Sequence, residues 1–282
     1  MPGRELTERQ RELLDEWLPG AVTTKDHSWG LLAGTTVLEL LHDGERHIVK
    51  AAAAGDKHIA REVRAHRHWL TPWTSQDRAP SLVHADVGAG LLVTRHLPGD
   101  LMLGHPDEFS PELHRQAGAL LAAFHGQYSV EDAEYEARAK SRILSAMDDR
   151  PHRIAPDTEA RVRAEIEAWP TPVVTLVPTH GDWHPRNWLV DNGEVKVIDF
   201  GRVELRPAET DLVRLAAQQY RTVPALWAAF LAGYGSDPRT SGAWRRRRLY
   251  EAVATATWAR LVDDEPFERQ GHRMIADVLA EG

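Results

Sequence analysis

Thr179-His180-Gly181-Asp182-Trp183-His184-Pro185-Arg186-Asn187-Trp188-Leu189-Val190 runs into a turn at Asp191-Asn192-Gly193, and Val195-Lys196-Val197-Ile198-Asp199-Phe200 follows. Apolar residues on both sides of an Asn-Gly turn predict two short strands closed into a hairpin. Asp182 and Asn187 stand before the first strand and Asp199 after the second. Oxygen-bearing side chains in that setting suit magnesium, and a magnesium site of this kind suits chemistry on a nucleotide.

Asp182 and Asn187 lie five residues apart in a loop that contains a proline. The spacing matches the protein-kinase catalytic loop, in which the aspartate faces the hydroxyl and the asparagine binds magnesium; Asp199 takes the place of the metal-binding aspartate. Read alone, the stretch is also an ordinary turn rich in Asp, Asn and Gly. Two upstream residues weigh against that plainer reading. Lys50 ends the apolar strand Ile48-Val49-Lys50, and Glu62 stands on the next helix, from which it can pair with Lys50. Phosphoryl transfer asks a protein for a cation on the phosphates, an acid to hold that cation, metal ligands, and a carboxylate at the attacking hydroxyl. These five residues answer to all four.

The remaining chain is read around this set. Its 282 residues suffice for one large domain or two lobes. No apolar run is long enough to predict a membrane span, and Met1 to Glu8 holds no signal-peptide core. There is no cysteine, hence no disulfide, thiolate metal site or cysteine nucleophile. The expectation is a cytoplasmic protein. The net charge of −8 argues against a nucleic-acid partner.

Thr7 to Leu18 predicts an amphipathic helix, with Thr7 and Gln10 forming a capping box. Residues 21–97 predict a mostly antiparallel sheet with one inserted helix, Asp56 to Leu70. After Pro98-Gly99 the chain turns helical: Ser110 to Gln127, Glu131 to Asp148, Asp157 to Trp169, then Pro207–Tyr220, Val223–Tyr234, Ser241–Val262 and Pro266–Ala280 around the hairpin. The fold class is therefore α+β, with residues 1–97 as an N-terminal nucleotide-binding lobe and 98–282 as a helical lobe carrying the catalytic loop and acceptor site.

His180-Gly181-Asp182-Trp183-His184-Pro185-Arg186-Asn187 resembles the H-G-D-x-H-x-x-N loop of the aminoglycoside phosphotransferase and choline kinase superfamily. Ile198-Asp199-Phe200 resembles its I-D-[FW] element, and Leu91 to Gly99 its hinge. The resemblance implies a bilobal, protein-kinase-like fold and a magnesium-dependent kinase that uses ATP or GTP. It implies that Asp182 orients the acceptor hydroxyl, that Asn187 and Asp199 bind Mg2+, and that Lys50, held by Glu62, contacts the phosphates. Backbone groups near Thr94, Arg95 and His96 would face the purine. His180 would support the loop, and Asp211 would support the fold. The implied acceptor is a hydroxyl of an aminoglycoside-like antibiotic; choline, a sugar or another amino alcohol is the alternative. The oligomeric state is left open.

Other features carry competing readings. His180, Asp182, His184 and Asp199 permit a metal-dependent hydrolase, but that leaves Asn187 and Lys50 without a use. An inactive nucleotide-binding module is the second alternative. Ser28 to Gly34, with two glycines, reads either as a phosphate loop or as a plain turn. Asp263, Asp264, Glu265 and Glu268 read as the acidic start of a helix, or as a wall for a cationic antibiotic. Arg245 to Arg248 would wrap around a helix as a solvated face, Trp227, Trp244 and Trp258 would be core, and Lys196 would be solvated.

Overall fold

The computed structural model describes residues 5–28 and 34–281. The opening helix α1 (Glu8–Trp17) has its expected cap: Thr7 accepts from Gln10 N–H while the Gln10 side chain accepts from Thr7 N–H. Five strands follow, β1 (Val22–Asp26), β2 (Thr36–His42), β3 (Glu45–Ala51), β4 (Leu82–Asp86) and β5 (Leu91–Arg95). They form one antiparallel sheet in the order β1-β2-β3-β5-β4. Helices α2 (Lys57–His68) and α3 (Thr71–Thr74) are inserted after β3. Of the candidate phosphate loop at Ser28–Gly34, residues 29–33 lie outside the described residues.

Alternation along the strands sorts the two faces of the sheet. Leu40, Val49, Leu91 and Val93 pack with Leu13 and Leu14 of α1 and with Leu18 just after it. The other face carries Lys50, which stands opposite Val37 on β2 and Leu92 on β5. Leu92 packs against Ile59 and Val63 of α2 on that same face. The helix that carries Glu62 thus covers the face from which Lys50 projects, and the period of the strand decides that the two can meet.

Beyond residue 98 come β6 (Asp100–Leu101), α4 (Pro111–His125), β7 (Val130–Asp132), α5 (Tyr135–Asp149), α6 (Pro156–Glu167), β8 (Val174–Thr179), β9 (Trp188–Asp191), β10 (Glu194–Val197) and β11 (Glu204–Arg206). The chain closes with α7 (Val213–Ala217), α8 (Gln219–Thr222), α9 (Pro224–Tyr234), α10 (Gly242–Leu261) and α11 (Glu265–Leu279). The predicted hairpin is β9 and β10, in register from Trp188↔Val197 to Asp191↔Glu194, and β6 adds to its edge. A second three-stranded sheet runs β11-β8-β7. β8 leads into the loop that contains Asp182, and β10 leads out to Asp199. A core of Trp73, Phe124, Trp183, Trp188 and Phe200 fixes the loop and hairpin against α3 and α4. Trp73 and Phe124 stack with ring centroids 4.2 Å apart.

Several local expectations give way to tertiary pairing. The helix expected from Glu131 starts at Tyr135, because Val130–Asp132 pairs with β8 and the Asp132 side chain turns back onto Glu134 N–H. The helix expected over 207–220 is broken into a 3-10 turn, α7 and α8, and its Asp211 turns inward. Lys196 is buried and bonds Asp191 at 2.7 Å across the hairpin instead of reaching solvent. Trp227 and Trp244 are core, whereas Trp258 is 42% exposed. The four arginines wrap around α10 and each finds a carboxylate: Arg245 meets Glu165, Arg246 and Arg247 meet Glu136, and Arg248 meets Glu281. Arg247 is buried, so the run is a structural clasp. No helix among the described residues is long and apolar enough to cross a membrane.

Candidate active site

The sheet and the hairpin meet at Lys50. Its Nζ donates to Glu62 Oε1 and Oε2 at 2.8 and 3.0 Å, and to Asp199 Oδ1 at 3.0 Å. Burial alone lowers a lysine pKa, but the charges of Asp199 and Glu62 outweigh it and hold Lys50 above the usual lysine range. The two acids fare differently. The Lys50 charge is the main influence on Asp199, whose carboxyl is held below its ordinary value. Burial dominates at Glu62 and pushes its carboxyl up despite Lys50. Asp199 adopts φ +67°, left-handed backbone that a non-glycine residue seldom takes. Its side chain is 51% exposed, so one carboxylate oxygen serves Lys50 while the group stays open to a ligand.

The loop between β8 and β9 is fastened from below by Asp211. Its carboxylate accepts from His180 N–H at 2.7 Å, Gly181 N–H at 2.6 Å and His125 Nε2 at 3.1 Å. Gly181 has φ +78°, and a Cβ there would meet Arg202 O at 2.6 Å. Only glycine allows the chain this close to the turn that follows Phe200. His180 Nε2 lies 3.1 Å from Ile198 O, which ties the loop to the residue before Asp199.

Asp182 is 3% exposed and lies among two guanidiniums and an imidazole. Arg186 donates to Oδ2 at 2.7 Å, Arg214 donates to Oδ1, and His184 Nε2 lies 3.3 Å from Oδ1. Burial would raise the Asp182 pKa; His184, Arg214 and Arg202 outweigh it and hold the carboxyl well below the carboxylate range. Asn187 Nδ2 donates to the Asp182 carbonyl at 2.8 Å. That bond fixes the amide, and among the described residues Oδ1 has no hydrogen-bond partner. Asn187 Oδ1 and the open Asp199 carboxylate would offer two hard oxygen ligands, the small protein share that magnesium takes when phosphates and water fill the rest. The donor set therefore fits the expected ion.

The predicted hinge residues lie at the end of β5. Thr94 is buried on the Lys50 face, opposite Ile48. The N–H groups of Arg95 and His96 are already given to Ser81 O and Arg46 O, so their amides are spent within the sheet. Among the described residues, Leu97 N–H has no backbone partner. His96 borders a cavity of about 580 Å³ whose walls include His27, Glu39, Gly99 and Asp191.

The four acids near the C-terminus are not gathered at Asp182. Asp264 caps α11 by accepting from Phe267 N–H. Asp263 pairs with Arg260, Glu265 with Arg269, and the buried Glu268 lies near Arg153 and His272. Glu251, which does reach the site through Arg214, stands ten residues before the end of α10, roughly 15 Å along the axis from Leu261 at the helical rise. Gly271 packs its backbone on Ala256, which sets α11 antiparallel to α10 and keeps Glu268 on the far side of that contact. Nor do the histidines build a metal centre: no group of three or more His, Asp or Glu able to hold an ion occurs among the described residues.

Sequence reasoning named Lys50, Glu62, Asp182, Asn187 and Asp199, and the structure draws them into two neighbouring clusters. It did not find Arg214 or Glu251. No motif marks them, since Arg214 lies between apolar residues on α7 and Glu251 within a long helix.

The fold matches known structures over almost its whole length. A thermostable variant of aminoglycoside phosphotransferase APH(4)-Ia, in ternary complex with AMP-PNP and hygromycin B, superposes with a TM-score of 0.74 at 11% identity, covering 98% of this chain and 99% of that one. Macrolide 2'-phosphotransferase MphH from Brachybacterium faecium gives 0.64 at 18% identity, covering 95% and 98%. The gentamicin–APH(2")-IIa complex gives 0.64 at 14% identity, covering 97% of each. None of the curated proteins matches this sequence. The model of the phosphotransferase enzyme family matches residues 36–250, and the chain belongs to that family.

Proposed function

We propose that this protein transfers the γ-phosphate of ATP to a hydroxyl of a small glycoside-type antibiotic. The observation that carries the reading is the meeting of two clusters, Lys50–Glu62–Asp199 and Asp182–Asn187, at the junction of sheet and hairpin. In this reading residues 1–97 form the nucleotide lobe and 98–282 the acceptor lobe, in a cytoplasmic setting where ATP and magnesium are at hand. The base sits at the hinge, beside the cavity bordered by His96, and Leu97 N–H is the amide left to meet it. Lys50, aimed by Glu62, neutralises the phosphates. Asn187 Oδ1 and Asp199 would hold magnesium, which when bound would screen the phosphate charge.

Asp182 orients the acceptor hydroxyl. With its pKa held down by its cationic neighbours, the carboxylate is a weak base, so it takes the proton late in the transfer. ATP is preferred as donor because AMP-PNP occupies a protein of the same fold. Similar folds in complex with hygromycin B or gentamicin, and one that is a macrolide 2'-phosphotransferase, support antibiotics as acceptors. Asp263, Asp264, Glu265 and Glu268 each have a local partner at the start of α11, so the reading rests on the similar folds and not on these acids. ADP release from MgATP is the test, measured with aminoglycosides, macrolides, choline and simple sugars. One acceptor should stimulate release by orders of magnitude; equal, slow release with every compound would sink the proposal.

A further inference from the structure

The guanidinium of Arg214 is held from behind. Nε and Nη2 donate to Glu251 Oε1 at 3.0 and 2.7 Å. This leaves Nη1 as the edge that faces the catalytic loop, where it donates to Asp182 Oδ1. Arg214 is only 17% exposed and is tethered to two helices' worth of structure, α7 through its backbone and α10 through Glu251. Arg186 contrasts with it: one bond to Oδ2 and a side chain 40% exposed.

A cation placed on the group that is to receive a proton weakens that group as a base. A fixed guanidinium in that position makes chemical sense if the charge it serves appears during the reaction. Phosphoryl transfer develops such charge on the oxygens of the group in flight, next to the acceptor oxygen that Asp182 orients. Lys50, a second fixed cation, is already shared between Glu62 and Asp199.

Resting on the phosphotransferase reading above, we propose that Arg214 is a further catalytic residue, a built-in guanidinium that receives the transferring phosphoryl group, with Glu251 as the positioning residue that aims it. One Nη1 hydrogen keeps Asp182 oriented and the second meets the phosphoryl oxygens. In the transfer the bond from acceptor oxygen to γ-phosphorus forms as the bond from γ-phosphorus to the β–γ bridging oxygen breaks. The electron pair of the broken bond leaves with ADP, and the hydroxyl proton passes to Asp182 and then to water.

The test is the affinity of the full chain for MgADP with and without aluminium fluoride, a planar mimic of the group in flight. The intact protein should gain at least about tenfold from fluoride, as sites complementary to a transition state do. Arg214→Gln should bind MgADP within about twofold of the intact protein yet lose that gain, since a transition-state contact leaves ground-state binding alone. Arg214→Lys should recover part of the gain, and Glu251→Gln, which keeps the arginine, should lose part of it. Full gain in Arg214→Gln would overturn the proposal. So would a parallel loss of MgADP affinity, which marks a purely structural role, or no gain in the intact protein. Failure of the intact protein to bind MgADP at all would strike the phosphotransferase reading itself, which keeps the two failures apart.

Discussion

Two charge clusters face each other across the junction of sheet and hairpin, and they are built in opposite senses. In the first, one lysine serves two carboxylates, Glu62 and Asp199. In the second, one carboxylate, Asp182, is served by two guanidiniums, Arg186 and Arg214. The first has negative charge to spare and an open carboxylate, which suits a cation carried in with phosphates. The second sets guanidinium hydrogens around a buried acid, with Arg214 backed by Glu251, which suits an oxyanion arriving beside a hydroxyl. A reaction that moves a phosphoryl group from one to the other uses both arrangements.

The contrast can be broken most forcefully at Asp182. We expect Asp182→Ala to lower transfer by about 10³-fold, roughly 4 kcal/mol at 1.36 kcal/mol per tenfold, with MgATP affinity nearly unchanged. Steady-state kinetics and direct nucleotide titration separate the two quantities. Next comes the anchor of the second cluster. Asp211→Ala strands the N–H groups of His180 and Gly181 together with His125, and should cost about 3 kcal/mol of stability in urea unfolding. Lys50→Ala should act on the other side of the contrast, raising the KM for MgATP about 10-fold or more, near 1.4 kcal/mol per tenfold. If Lys50→Ala changed only turnover and Asp182→Ala only nucleotide binding, the assignment of the two clusters would be reversed.

The last effect is a pH dependence beside the first cluster. His66 on α2 packs edge-on against Phe200, and burial, aided by the Lys50 charge, lowers its pKa to about 3. The unfolded chain therefore takes up a proton on this histidine below its ordinary pKa of about 6.5, while the folded chain does not. Stability is unaffected above that pH and falls as pH drops toward 3, by up to about 1.4 kcal/mol per unit. His66→Leu should flatten this part of the urea-unfolding profile between pH 7.5 and 5. An unchanged slope would show that His66 is not kept neutral.

What could be read in the sequence follows the range of each interaction. The Asp182–Asn187–Asp199 order, the hairpin turn and the Thr7 capping box are local, and residue type with spacing expresses them. Lys50 and Glu62 are 12 residues apart, and strand period with helix order was enough to suggest their bond. Arg214 reaches Asp182 across 32 residues and Glu251 across 37, from positions with no pattern of their own. The edge strands β6, β7 and β11 are two or three residues long and exist because β8 and β9 offer them partners. Lys196 misleads for the same reason: it looks like a surface lysine until Asp191 is folded over it.

Mass spectrometry of hydroxylated antibiotics, amino alcohols and sugars after incubation with the protein and MgATP tests the central claim most directly. The account predicts that one class of acceptor gains a single phosphate, matched by ADP, and that Asp182→Ala abolishes the gain. MgATP that binds while no acceptor across the panel gains phosphate, or an acceptor that is altered without any nucleotide, would contradict it.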